Sequence, residues 1–249
     1  MKVAIGRLLA VRPRSDYPRD MWRVWLVRLL PFLGRWVDAA PAACCGVCPT
    51  CLTATASGLT DVPNTLSGVK VLINSNYAGV LYVSATQINL LVPNSLLPDT
   101  YSLTVWRDSL GSETVPVVVQ EAAPGLFPSA FHVDGTAVSP DAPAISGEVV
   151  MFYGTGFGRM LPDPVGLEIT RSAASIVHAG DFSLLLDGVG VDPAMVQYVG
   201  AAPGNAGLYQ INLRIPDGLP NGGHEVRVSV AGVLSPVGLQ LITGSPSTD

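Results

Sequence analysis

Four cysteines fall within eight residues of this chain, Cys44, Cys45, Cys48 and Cys51, and its 249 residues contain no other. The spacing Cys45-x-x-Cys48-x-x-Cys51 is that of thiolates arranged for an iron–sulfur cluster. Such a run normally continues to a fourth cysteine beside proline. That residue is missing, and Cys44 stands too close to replace it. Zinc sites use two C-x-x-C pairs held apart, whereas these two overlap. A metal or redox role for the cluster stays an alternative to a plain loop, and no cofactor is expected. The stretch "PAAC", Pro41 to Cys44, weakly resembles a lipoprotein processing site that would tether Cys44 to lipid. Pro41 stands where a larger aliphatic residue belongs, and the apolar stretch before it is charged.

Other candidate groups are dispersed. "GTGFG", Gly154 to Gly158, has the glycines of a phosphate-cradling loop, but that chemistry needs a following helix to supply N-terminal amides. "RMLPDPVG" follows instead, so a turn or bulge between strands is expected. His132, His178 and His224 have no catalytic motif around them. Asp134, Asp141, Asp163, Asp181 and Asp187 sit in turn-like stretches, where aspartate is favoured by its backbone hydrogen bonding. Calcium held by such turns is a minor alternative. Tyr77, Tyr82, Trp106, Tyr198 and Tyr209 could supply an aromatic platform for sugars; Trp106 is the better candidate for an exposed ring, although one such ring is normal on any surface. Nothing pairs a nucleophile with a base, and no enzyme is expected.

Composition limits the partners. Apolar residues make up 48 % of the chain and charged residues 13 %, with 26 glycines and 21 prolines spread between short apolar runs. That is the punctuation of an all-β chain with many turns. The net charge of −5 is unevenly divided: residues 1–51 hold eight of the fourteen Lys and Arg, and from residue 52 onward six bases face sixteen acids, a balance of −10. An acidic body lacks the cations that phosphate neutralisation requires, which argues against nucleic acid. No uncharged apolar run reaches the ~18 residues of a membrane span. The nearest, "MWRVWLVRLLPFLGRW", is broken by Arg23, Arg28, Pro31 and Arg35, and makes an equally poor signal-peptide core.

An internal repeat organises the rest. "QINLLVP", Gln87 to Pro93, returns as "QINLRIP", Gln210 to Pro216, at an offset of 123. The match extends without a gap to Leu96 with Leu219, Leu103 with Val226 and Val105 with Val228, and it sets His224 at the position of Tyr101, an ordinary strand side chain. Strand alternation puts Ile88, Leu90 and Val92, and likewise Ile211, Leu213 and Ile215, on one core-facing side, along with Tyr209. Gln87, Asn89 and Leu91 then face outward, as do Gln210, Asn212 and Arg214, so the change from Leu91 to Arg214 is expected where solvent accepts it. "YSLTV", "VPVVV", "EVRVSV" and "GLQLI" read as further strands. Two copies make two β-sandwiches.

"GEVVMFYGTGFG" (147–158), "GLYQINLRIPDGLPNG" (207–222) and "AAPGLF" (122–127) together resemble one group, the uncharacterised immunoglobulin-like repeat domains at the C-termini of acidobacterial exported proteins, similar in architecture to the IPT/TIG type. The resemblance covers residues 52–243. It implies a secreted or cell-surface β-sandwich module and carries over no catalytic residue. The expected organisation is a basic segment over 1–51, a first repeat over 52–121, a linker over 122–144, a second repeat over 145–243 and a tail over 244–249. Copy one has "CCGVCPTC" where the family pattern has a first strand and a glycine turn. It is therefore expected to lack that strand, with residues 1–51 foreign to the sandwich through a shifted reading frame or a misassigned start. The leading expectation is a non-catalytic spacer, adhesion or assembly unit of a larger extracellular or surface protein, with a polysaccharide or another protein as partner. A carbohydrate-binding accessory module is the first alternative, and metal or redox chemistry at the cysteines is the second.

Overall fold

A computed structural model describes residues 61–84 and 87–245, and the backbone of the short strands at 4–5, 8–9 and 54–55. The chain is all-β. Among the described residues, one compact unit holds those up to Gln120 together with Pro164–Ile169. The other holds Glu121–Asp163 and the residues from Thr170 on.

Unit one is built from β1 (Ala4–Ile5), β2 (Leu8–Leu9), β3 (Ala54–Thr55), β4 (Val69–Ile73), β5 (Asn76–Tyr77), β6 (Gly79–Val83), β7 (Ile88–Leu91), β8 (Asp99–Arg107), β9 (Leu110–Gly111) and β10 (Val115–Val119). One sheet runs β1-β10-β8-β4-β5 with β9 on β8, and the other runs β2-β7-β6-β3. Alternate residues of both sheets enter one core, including Val71, Ile73, Val80, Leu90, Leu103 and Val117. That common core makes the pair a sandwich.

Unit two contains β11 (Gly125–His132), β12 (Val149–Thr155), β13 (Met160–Leu161), β14 (Ser175–Ile176), β15 (Ser183–Leu186), β16 (Val189–Gly190), β17 (Val196–Ala201), β18 (Tyr209–Arg214), β19 (Gly222–Val230), β20 (Val233–Leu234) and β21 (Leu239–Thr243). Its sheets run β11-β12-β18-β17-β14-β13 and β16-β15-β19-β20, with β21 also on β19. Phe152, Ile211, Leu213, Val226, Val228 and Leu241 join them in a second core. The offset of 123 carries β8 onto β19 and β9 onto β20 residue for residue. Turn chemistry repeats as well: Asn74 and Asp187 both take positive φ at the tip of the first hairpin, a conformation that short polar side chains tolerate.

Three sequence expectations are corrected. Unit one does not lack its first strand. Leu8 and Leu9 pair with Leu91 and Leu90 in the register in which Val149 and Val150 pair with Arg214 and Leu213. Ala4 and Ile5 run parallel to Val118 and Val119, as Ala144 bridges in parallel to Thr243. The signal was present as "AIGRLL" against "AISGEVV", one residue shorter. The edge left open by sequence reasoning is thus paired at Leu90 and Leu91, which shortens a template for aggregation. The remainder of 1–51, including the four cysteines, lies outside the described residues.

Second, Leu91 is buried at 7 % exposure rather than facing water. It stands opposite Gly79, and a Cβ added at Gly79 would meet Val62 Cγ1 at 2.7 Å and the Leu167 side chain at 3.2 Å. The outer side of this sheet is covered there. Third, the stretch 122–144 is more than a linker, because β11 lies within it and pairs with β12.

Candidate functional site

Core packing explains why Ile, Leu and an aliphatic residue recur in the two heptapeptides. It does not explain why the outward Gln and Asn recur with them. In β18, Ile211 and Leu213 are fully buried, so Gln210, Asn212 and Arg214 project from the opposite face. Gln210 Nε2 donates to Asn212 Oδ1 at 2.8 Å. In unit one Gln87 Nε2 donates to Asn89 Oδ1 at 2.5 Å. A tyrosine stands beside the asparagine both times: Tyr198 opposite Asn212 and Tyr82 opposite Asn89. Each follows a register shift, between Val196 and Tyr198 and between Val80 and Tyr82. A bulge re-aims a side chain, and both units use it at the same place.

The neighbours of this Tyr–Gln–Asn set differ. In unit two, Phe131, Met151, Asn212 and Tyr198 form one cross-strand row, and Tyr153, Gln210 and Gly200 form the next. Phe131 and Tyr153 meet edge to face at 5.9 Å between centroids. Tyr198 folds over Gly200, where an added Cβ would approach its hydroxyl at 2.7 Å and Ala174 O at 2.2 Å. Its hydroxyl donates to Ala201 O at 2.6 Å, and burial pushes the phenol upward from 10.0 against a smaller backbone effect. Gln210 Nε2 also reaches Met151 Sδ at 3.5 Å. Arg214 Nη1 donates to Gly147 O at 3.0 Å, and the Gln197 amide, turned to suit both groups, accepts from Arg214 Nη2 at 3.1 Å. The result is a face of rings, a thioether and amides.

The five aromatics singled out from sequence do not assemble into one platform. Tyr209 is fully buried and stacks on Phe157 at 5.0 Å, and its hydroxyl donates to Gly158 O. Tyr77 is exposed on β5. Trp106 is half-buried and lies over Gly111, its cross-strand partner, with Lys70 Nζ 5.7 Å from the ring centroid. Its faces are engaged by the fold. Phe131 and Tyr153 were missed because neither lies in the repeated motif. The signal available was strand alternation through "VVMFYGT", which puts Met151 and Tyr153 opposite the core residues Val150 and Phe152.

The histidines are held by neighbouring groups. His224 Nδ1 meets Asp187 Oδ2 at 2.6 Å, and Nε2 meets Pro220 O at 2.8 Å and Thr243 Oγ1 at 3.1 Å. Hydroxyl, imidazole and carboxylate stand in the order of a hydrolytic triad, but the proton inventory is wrong. Thr243 Oγ1 donates to Pro220 O at 2.6 Å, so its proton is spent on a carbonyl. Burial pulls the His224 pKa down, yet the bonds to Asp187 and Pro220 outweigh it and the net shift from 6.5 is upward. Nδ1 faces a carboxylate and Nε2 a carbonyl, so both ring nitrogens are placed to donate and neither is free to take the Thr243 proton. In unit one Tyr101 hydroxyl donates to Leu97 O at 3.0 Å, the residue equivalent to Pro220. Asn74 Oδ1 accepts from Ser102 N as Asp187 Oδ1 accepts from Glu225 N, each at 2.8 Å. The latch is structural. His132 likewise bonds Glu148 at 2.5 Å and Ala142 O at 3.1 Å, and the Glu148 bond leads an upward shift. His178 lies 3.6 Å from both Glu121 and Asp181.

The aspartates serve turns. Asp134 accepts from Thr136 N and Oγ1 at 2.9 and 2.7 Å, bonds that lower its pKa. Asp163 accepts from Arg159 Nε at 2.9 Å. Among the described residues no group of three or more His, Cys, Asp or Glu is placed to hold a metal ion. "GTGFG" closes β12 with positive φ at Gly156 and Gly158 and sends Phe157 into the core; no helix follows it. No helix among the described residues is long and apolar enough to cross a membrane.

No family profile and no curated protein matches the chain. Among solved structures it is similar to SGBP-B of the Bacteroides ovatus mixed-linkage glucan utilization locus, in complex with a mixed-linkage heptasaccharide, at 13 % identity and a TM-score of 0.31, over 78 % of this chain and 42 % of that one. It is similar to a biofilm associated protein BSP domain at 15 % identity and a TM-score of 0.26, over 73 % and 25 %. Domains 4–9 of the surface layer protein SbsC match at 14 % identity and a TM-score of 0.21, over 79 % and 25 %. The chain spans less than half the length of each of these structures. None of them assigns a ligand to this chain.

Proposed function

We propose that this chain is a non-catalytic β-sandwich pair of the IPT/TIG-like kind, belonging to an exported or cell-surface protein, where it serves as a spacer, adhesion or assembly unit. The observation that carries the reading is the outward Tyr–Gln–Asn set common to both units, which the cores do not require. The histidine and aspartate groups that could suggest chemistry are engaged in latches and turns, so the function is read at the sheet surfaces.

The test is antibody labelling of intact and permeabilised cells of the organism that carries the gene. Signal on intact cells or in the medium is the expected result. Signal confined to permeabilised cells overturns the reading. The carbohydrate-binding alternative is favoured by one particular observation, the gathering of Phe131, Tyr153 and Tyr198 on a single face. The metal or redox alternative rests on Cys44, Cys45, Cys48 and Cys51, and metal analysis of the chain purified under reducing, anaerobic conditions decides it.

A further inference from the structure

We infer that the outer face of β11, β12, β18 and β17 is a binding site for a neutral polysaccharide, contacted through Phe131, Tyr153, Tyr198, Gln210 and Asn212. The inference rests on the surface-module reading and names the ligand class of its sheet face.

Charge is the first argument. These strands read GLFPSAFH, VVMFYGT, YQINLR and VQYVGA, with no Asp, Glu or Lys among them. Their one fixed charge, Arg214, already donates to Gly147 O and faces Gln197, and His132 is paired with Glu148. An anionic polymer finds no row of cations here, and a cationic one finds no carboxylates.

Shape and hydrogen bonding are the second. The amide pair leaves Gln210 Oε1 to accept and Asn212 Nδ2 to donate, neither bonded among the described residues. Hydroxyl groups, which both donate and accept, match such a pair. Tyr198 lies over Gly200, and Phe131 and Tyr153 meet edge to face with their planes 67° apart, so the part-buried rings offer apolar surface for the C–H face of a sugar. The large exposed apolar side chains, such as Leu97, Leu110, Leu161, Val165 and Val189, all lie outside these four strands. Protein interfaces are anchored by side chains that fill pockets on the partner, and here Phe131, Tyr153 and Tyr198 are part-buried in their own sheet rather than fully projecting. Among the described residues, unit one has the Tyr–Gln–Asn set without a Phe–Tyr pair, and Leu91 stands where Arg214 does, which places the stronger site in unit two.

The full chain is run in native gels containing hydroxyethyl cellulose, galactomannan, arabinoxylan or amylopectin, with alginate as the anionic control. Retardation in at least one neutral gel and none in alginate is expected. Tyr153→Ala weakens it about tenfold, as does Asn212→Ala, from the lost apolar contact or hydrogen bond. Trp106→Ala leaves it unchanged. Thermal melting of each variant shows whether the fold is kept. Should Tyr153→Ala lower the melting temperature sharply, Gln210→Glu, which places a charge on the same face, supplies the test and is also expected to abolish retardation. Migration unaffected by every neutral gel overturns the inference, as does retardation untouched by Tyr153→Ala and Gln210→Glu. Self-association of the chain, seen by sedimentation and abolished by these same variants, overturns it in favour of a protein partner. Surface labelling with no glycan retention refutes the site alone, whereas intracellular confinement refutes the module reading beneath it.

Discussion

His224 and Tyr101 solve one problem with different chemistry, and the difference predicts a pH response. Each ties its strand to the carbonyl four residues earlier, but only the histidine titrates. Its folded pKa lies above 6.5. The pair's stabilisation is therefore complete below about 6.5 and is lost as pH rises through the raised value. Asp187 adds the opposite limit: its pKa is lowered from 3.8 by the His224 bond and then by Glu225 N, so its contribution is lost as pH falls through that lowered value. His132 shifts in the same direction as His224. Unit two should melt at a higher temperature at pH 6 than at pH 9. The variant His224→Tyr with Asp187→Asn rebuilds the arrangement of unit one. It should fold and show a flatter melting temperature across that range, with the residual slope removed by His132→Gln. A slope unchanged in both the double variant and the one with His132→Gln added would assign the response elsewhere. His224→Ala alone leaves the Pro220 carbonyl and Thr243 without the ring and should cost about 1–3 kcal/mol.

At the scale of strands, the repeated β7 and β18 look interchangeable, yet they meet different surroundings on their outer sides. Leu91 is 7 % exposed while Arg214 is exposed. Leu91→Arg should destabilise unit one by roughly 2–4 kcal/mol, because a charge enters a covered position. Arg214→Leu should change unit two by less than about 1 kcal/mol. Chemical denaturation of the two variants checks both, and equal effects would show that the outer sides are alike. The pair also marks what the sequence could convey. Alternation identified β7, β8, β10, β18, β19 and β21, because a half-buried strand imposes period two on its side chains. It was silent on what covers the other face, which is set by Val62 and Leu167, far away in the chain. It missed β11, whose "GLFPSAFH" is interrupted by Pro128 and lacks alternation. It found the Gln and Asn of the candidate face through the repeat but not Phe131 or Tyr153, which only the register of β11 and β12 brings beside them.

For the whole molecule, the decisive question is what completes unit one. Each unit has its own core, drawn from both of its sheets, so each is expected to unfold as a cooperative body. In unit two the position beside β18 is filled by β12, seven residues long, while in unit one, among the described residues, the two of β2 take that place beside β7. Two short segments, β1 and β2, join both sheets, one in parallel to β10 and the other antiparallel to β7. Removing residues 1–9 should therefore open an edge on each sheet of unit one and leave unit two whole. Calorimetry of that truncation should show one transition lowered by several degrees and the other, still responsive to His224→Ala, in place. The opened edges should also raise self-association in proportion to protein concentration. If truncation leaves both transitions where they were, the N-terminal residues do not complete unit one. The mismatch between "AIGRLL" and "AISGEVV" then reflects a segment foreign to the sandwich rather than a shortened first strand.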